Sequence, residues 1–172
     1  FAYITDSGAT GAIVVVNIKT GKAKRFLDGH PSTQAEKNVQ VKTDGKVLRR
    51  PDGRGVDFAA DGIAISNDGK KLYWQAIKGK TLYSIETRFL HGSNVKEAEN
   101  QVQKVGKNGV ADGLLITHDN FMIITSLEQD SLRIRDLNVD KHNVGEPPIW
   151  IQDARLRWPD TLSEGPDDTI FV

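Results

Sequence analysis

Apolar positions in this chain come in short runs, with polar turn residues between them. "AIVVVNI" at 12–18 closes on "KTGK", and a second run follows at 23–27. "IAIS" at 63–66 gives way to "NDGK", then "KLYWQ" at 71–75 and "TLYSIETRFL" from Thr81. "LLIT", "MIIT" and "SLRIRDL" follow Asp112, and "PPIWIQD" leads into "ARLRWPD". Short runs rich in β-branched and aromatic residues, bounded by Gly, Asn and Asp, predict strands. "SNVKEAENQVQKV" alone carries a helical pattern. Asn94 and Glu97 are spaced as a capping box, and Val95, Ala98, Val102 and Val105 fall near one face. The prediction is a helix in a connection between groups of strands.

The strand pattern repeats. "ADGIAISNDGKKLYW" from Ala60, "ADGLLITHDNFMIIT" from Ala111 and "PDTLSEGPDDTIFV" from Pro159 align on Asp61, Asp112 and Asp160, at intervals of 51 and 48 residues. Each copy has a second turn a little further on: Asn67-Asp68-Gly69, His118-Asp119-Asn120 and Pro166-Asp167-Asp168. A period near 50 residues with several strands per copy predicts an all-β fold, a β-propeller whose blades are the copies. A ring closes with roughly 4–8 blades, and about three are legible here. "FAYITDSG" resembles the second strand of a further copy. The expectation is therefore part of a single propeller domain, residues 1–172, truncated at both ends, with the remaining blades outside the chain. Residues 28–58 lengthen one connection. Within them "VQVKTDGKVLRR" alternates about Asp44-Gly45, a hairpin signal.

Composition narrows the chemistry. The 23 basic and 23 acidic residues cancel, and no basic stripe marks a nucleic-acid footprint. With no Cys, disulfides, thiolate nucleophiles and Cys-based zinc sites are excluded. No apolar run reaches the roughly 18 residues that a membrane span needs. "GKT" at 79–81 is not a P-loop, since the leading Gly of that motif would fall at Trp74. The serine-hydrolase elbow, the zincin helix and the EF-hand loop are missing too.

"YITDSGATGAIVVVNIKTGKAKRFLDGHPS", "ADGIAISNDGKKLYWQA", "LYSI", "VADGLLIT" and "LRWPDTLSEGPDDTIFV" together resemble the major royal jelly protein / Yellow family, in its bacterial or fungal form. The resemblance covers essentially the whole chain. It implies a six-bladed propeller related to the gluconolactonase and regucalcin-like propellers, and it favours a secreted or periplasmic protein. Those relatives hold a divalent metal in the channel mouth, with two ligands from Asn-Gly and Asp-Gly pairs of consecutive blades. The matching pairs here are Asp61-Gly62 and Asp112-Gly113. The resemblance thus implies Asp61 and Asp112 as ligands of a divalent ion, Ca²⁺ by its preference for oxygen. Asp112 would also serve as the base. The family's remaining ligands would precede Phe1. Asp160-Thr161 lacks the Gly, and that blade supplies no ligand in the lactonases.

Two readings of each candidate stand side by side. Starts of innermost strands converge on a propeller's axis, so Asp61 and Asp112 form a channel-mouth site, or Asp-Gly only makes the tight turn that each blade needs. Trp158 and Asp160 line the same mouth for a small-molecule ligand, or they form a Pro-fixed strand start. Asp6 faces the rim, or it opens the "DSGATG" turn. His30, at the head of 28–58, is placed near the mouth or in a loop. His91, His118 and His142 show no ligand spacing and read as solvated loop residues. Two functions follow: a metal-dependent hydrolase of lactones or similar small esters, or a non-catalytic propeller that binds a small molecule. Some Yellow relatives are linked to an isomerisation instead.

Overall fold

The computed structural model describes residues 1–8, 10–138 and 145–172. His142 lies outside the described residues. Strands β1 (Ala2–Asp6), β2 (Ala12–Val16) and β3 (Ala23–Phe26) form a three-stranded antiparallel sheet. The segment that follows folds back as a short hairpin, β4 (Lys42–Thr43) and β5 (Lys46–Val47). Asp44 (φ 50°) and Gly45 (φ 72°) form its tip, the pair of left-handed residues that a two-residue hairpin turn requires.

Two four-stranded antiparallel sheets come next. One comprises β6 (Ala60–Ile65), β7 (Lys71–Ala76), β8 (Thr81–Glu86) and β9 (Gln103–Lys107). The other comprises β10 (Leu114–Ile116), β11 (Phe121–Ser126), β12 (Ser131–Asp136) and β13 (Ile149–Gln152). The pair β14 (Ser163–Glu164) and β15 (Ile170–Phe171) ends the chain. In each four-stranded sheet the strands lie side by side in chain order. β6 lies between β1 and β10, and β1 runs opposite to both, its Thr5 end beside Asp61, as the second strand of a copy does. These sheets are the blades of a β-propeller, with β6 and β10 as inner strands and β1 beside β6.

The core lies between blades. Ile13, Val15 and Phe26 of the first sheet pack with Leu72, Trp74 and Ile85 of the second. Tyr73 and Leu82 of the second pack with Leu114, Ile116, Met122 and Ile124 of the third. This is why β2, β7 and β11 read as continuous apolar runs: both faces of each are covered. Each fully buried Ile, Leu or Phe contributes about 1.5–3 kcal/mol. Trp74 is wholly buried, and its indole N–H donates to Ser32 O at 3.0 Å, so it leaves no unmet donor.

The predicted helix is shorter than its pattern. α1 spans only Val95–Asn100, between β8 and β9, with the Asn94 side chain accepting from Glu97 N–H at 3.1 Å. Val105 belongs to β9, and Val102 precedes that strand while packing on the first core. The pairing of β9 with β8 ends the helix: backbone groups from Gln103 onward are taken up by the sheet. Among the described residues no helix is long and apolar enough to cross a membrane.

Candidate functional site

The two Asp-Gly pairs sit at one end of the inner strands. Asp61 and Gly62 form a bulge in β6: Ala60 faces Ala76 and Ile63 faces Trp74, so one extra residue is accommodated. Asp112 and Gly113 immediately precede β10. Thr125 of the paired strand fastens them, its hydroxyl oxygen accepting from Asp112 N–H at 3.0 Å and Gly113 N–H at 2.8 Å. Neither glycine has a positive φ. A Cβ on Gly62 would stand 2.4 Å from Asp112 O, and one on Gly113 only 1.7 Å from Asp160 O. The turn reading of these pairs is therefore corrected: the glycines are there because the next blade's aspartate carbonyl fills the space. Thr5, in the preceding sheet, donates its hydroxyl to Asp61 O at 2.7 Å. From blade to blade, the same end of each sheet thus meets the aspartate backbone of the next.

This stacking brings the three side chains toward one another. Asp112 is only 8% exposed, Asp61 is half-buried and Asp160 is exposed. Burial pushes Asp112 up to about 6; the indole hydrogen bond from Trp158 opposes that rise, and the charges of Asp160 and Asp61 add to it. Asp61 is also raised, chiefly by burial, with a Ser7 hydrogen bond opposing and the Asp160 charge adding. The charged groups that shift these two aspartates are all carboxylates; no Lys, Arg or His is among them.

Trp158 is the other member of the group. Its Nε1–H donates to Asp112 Oδ2 at 2.7 Å, and its rings pack on a cluster of Val39, Val41, Ile77, Val110 and Leu127. It does so with φ 52°, a conformation that is a genuine outlier for a bulky residue. Asp112 therefore keeps one carboxylate oxygen for another partner.

The other candidates fall elsewhere. Asp6 ends β1, accepts from Gly8 N–H at 2.8 Å and pairs with Arg25, so it is a turn residue. His30 caps a single 3-10 turn, its Nδ1 accepting from Ser32 N–H at 3.2 Å. His91 stacks on Phe1 and is hydrogen bonded to Tyr3 Oη at 2.6 Å. His118 is exposed, as expected of a loop residue, but it is not alone. Its Nδ1 is 2.9 Å from Glu164 Oε1 and 3.7 Å from Asp168 Oδ1, at the opposite end of the blades from Asp112. Among the described residues, His118, Glu164 and Asp168 are the one set of three whose potential ligand atoms all lie within 4.8 Å of one another. No local spacing signals the set, because Glu164 is 46 residues from His118.

The mouth carboxylates are spread more widely than that. They nonetheless suit a hard divalent ion in donor chemistry and charge: Asp112 and Asp61 are partly buried carboxylates, the negative charge of Asp160 adds to the rise of both, and no cationic side chain is among the groups that shift them. An ion that keeps several of its waters would span the gaps.

Residues 1–164 match the family model of the major royal jelly proteins. The chain belongs to the major royal jelly protein family. No curated protein matches the sequence. Among solved structures, this family member is similar to a luciferin-regenerating enzyme, at 16% identity and a TM-score of 0.48, over 93% of this chain and 43% of that one. It is similar also to virginiamycin B lyase from Staphylococcus aureus, at 12% identity and 0.47, over 98% and 61%. A third is regucalcin, a calcium-binding protein from Agrobacterium tumefaciens str. C58, at 12% identity and 0.42, over 97% and 64%. The chain spans about half the length of these structures, between 43% and 64%.

Proposed function

We propose that this royal jelly family protein hydrolyses a lactone or similar small ester at the channel mouth, with Asp112 as the general base. The observation that carries the reading is the uncompensated group of Asp61, Asp112 and Asp160, with Asp112 buried, raised to about 6 and held by Trp158. Perturbed carboxylates in a cleft mark functional sites, and partly buried carboxylates with no cationic partner favour a cation between them. Asp61 and Asp112 would hold a divalent cation, Ca²⁺ by donor type, with Asp160 and Trp158 lining the ligand side. Such an ion, when bound, polarises a carbonyl and acidifies a water. Oδ1 of Asp112 would take a proton from the attacking water and return it to the alkoxide released when the carbonyl carbon–oxygen bond breaks, while the Trp158 indole fixes Oδ2 and keeps the carboxylate from turning away. The indole also presents a rigid apolar wall to a small organic substrate.

The test is titration of acid released from a panel of lactones and small esters, with Ca²⁺ and with chelator. Asp112→Asn is expected to lower kcat by about 10²–10⁴-fold. A wild-type protein that opens none of them, or an Asp112→Asn variant that works as well, would falsify the reading.

A second reading rests on a different observation. A cavity of about 560 Å³ runs along β1, β6 and β10, lined by Phe1, Tyr3, Ile63, Ile65, Leu115 and Leu162 among others. Pockets of this size and apolar character accommodate small organic molecules. Saturable binding of an aromatic amine, without turnover and insensitive to Asp112→Asn, supports the non-catalytic binding protein instead.

A further inference from the structure

Residues 28–58 are fastened to the mouth end of the blades at several points. Glu36 Oε1 accepts from Lys80 N–H at 3.1 Å and Thr81 N–H at 3.0 Å, in the connection between β7 and β8. Lys42 N–H donates to Glu128 Oε1 at 2.9 Å, just beyond β11. Lys78 Nζ meets Asp57 Oδ1 at 2.6 Å. At the hairpin tip, Asp44 pairs with Arg157, the residue next to Trp158. Beneath these ties, Val39, Val41, Leu48 and Phe58 of the segment enclose an apolar cluster with Ile77, Val110, Leu127 and the Trp158 rings.

Trp158 is the link between that cluster and the carboxylates. A left-handed backbone on a bulky residue persists only when its surroundings over-determine it. Here the restraints are on both sides: Arg157 is held by the hairpin tip, the rings by the hairpin's apolar side chains, and Nε1–H by Asp112. Pro159, buried behind it, limits relaxation of the same backbone.

We infer that the 28–58 segment is a positioning element of the mouth site: its β4–β5 hairpin clamps Trp158, and Trp158 sets the orientation of the Asp112 carboxylate. Trp158 is a positioning residue by this account, and the hairpin acts on Asp112 through it. The coupling itself is independent of what the site does; its consequence for turnover rests on the hydrolase reading.

The indole N–H of Trp158 reports the coupling directly. The chain has three tryptophans. Trp74 N–H is buried and bonded to Ser32 O, and Trp150 is exposed, so ¹⁵N-indole spectra contain a protected and an open reference. In the wild-type protein, Trp158 N–H is expected to exchange with solvent about tenfold or more slowly than Trp150 N–H. The paired change Asp44→Ala with Leu48→Ala, which loosens the hairpin far from Asp112, is expected to bring Trp158 close to the Trp150 rate with Trp74 unmoved. Arg157→Ala, which cuts only the tip's ion pair, is read in the same way, so a general loosening that also speeds Trp74 in the first variant is told apart. Trp158 exchange unchanged in both variants overturns the inference. In a protein that hydrolyses a lactone, the hairpin variants should each lower kcat by about tenfold with KM nearly unchanged. A change in KM alone overturns the link to turnover. Absence of turnover in the wild type removes the hydrolase reading and leaves the exchange result standing.

Discussion

The two ends of the inner hairpins carry nearly the same residue types for opposite physical reasons. At the far end, the turns 67–69, 118–120 and 166–168 place their third residue in left-handed backbone: Gly69 at φ 69°, Asn120 at 64°, Asp168 at 59°. Those residues are chosen for conformation, and Gly69 has open space around the missing Cβ. At the mouth end, Gly62 and Gly113 have ordinary backbone but no room, because the next blade's carbonyl stands where a Cβ would go. Polar partners differ in the same way. Far-end groups satisfy one another. Asn67 Nδ2 donates to Thr117 O, His118 O and Asn120 Oδ1 across the blades. The Ser66 hydroxyl and the Lys70 N–H hold Asp68 below the usual carboxylate range. The mouth carboxylates have neutral donors in Trp158 and Ser7, but the charged groups that shift them are other carboxylates. The repeat is thus structurally complete at one end and electrostatically incomplete at the other, and the proposed site lies at the incomplete end.

The largest effect that tests this contrast is steric. Gly113→Ala forces its methyl into the Asp160 backbone, where no flexible side chain can give way, and should cost more than about 3 kcal/mol or prevent folding. Gly69→Ala, strained only by its positive φ, should cost about 1 kcal/mol. Thermal or urea unfolding of the two variants gives the comparison, and equal losses would contradict the account of the mouth glycines.

Next in size is the charge of Asp112. Its folded-state pKa of about 6 lies above the ordinary value of 3.8, so between those pH values the folded state holds the proton more tightly than the unfolded one. Stability is accordingly lost as pH rises from about 4 through 6 and stays lower above that range. Taken at face value the rise corresponds to about 3 kcal/mol, and solvent screening at the open mouth reduces it to about 1–2 kcal/mol. In chelator, Asp112→Asn should be more stable than wild type at pH 8 by an amount approaching this, and no more stable at pH 4. Added Ca²⁺ should narrow the difference by stabilising the wild type. Parallel pH profiles for the two proteins would mean that the carboxylate is compensated after all.

The strand pattern, the three aligned aspartates and the Asp44-Gly45 hairpin were legible because each is a local or periodic signal. The reason for Gly62 and Gly113 was not, since an Asp-Gly pair before a strand looks like turn chemistry until the neighbouring blade is in place. The end of α1 was likewise hidden: Val102 and Val105 continue the helical spacing, and only the pairing of β9 with β8 overrides it. Trp158 and Asp160 stood out as candidates by residue type, yet the bond from the indole to Asp112 joins positions 46 residues apart. The grip of the hairpin on Arg157 spans 113. Contacts at such separations depend on how the blades stack, which no local pattern records.

A smaller effect is expected from Asn67→Ala. This side chain ties the second blade to the third at the far end through one amide with three acceptors. One of these, His118 O, is exposed, so the loss should be about 1 kcal/mol, visible as a modest shift in the urea midpoint. It should leave any mouth activity untouched. A change in that activity larger than the stability loss explains would mean that the two ends are coupled.

The smallest effect belongs to His118, and its sign sharpens the contrast. The hydrogen bond with Glu164, followed by the charge of Asp119, raises the His118 pKa, while Glu164 is lowered by the same pair. A histidine raised in the folded state adds stability that is fully present below its unfolded pKa and is lost as pH rises through the folded one. The pair is solvent-exposed, so the gain is slight and screened by salt. His118→Asn should lower the urea midpoint at about pH 5.5 and leave it nearly unchanged at about pH 8.5, with the difference fading in high salt. Both ends thus lose stability toward alkaline pH, the mouth by gaining an unbalanced negative charge and the far end by losing a balancing positive one. Salt distinguishes them: it should erase the His118 effect while leaving most of the buried Asp112 effect in place, and if both fade together the mouth carboxylate is no better shielded from solvent than the exposed pair.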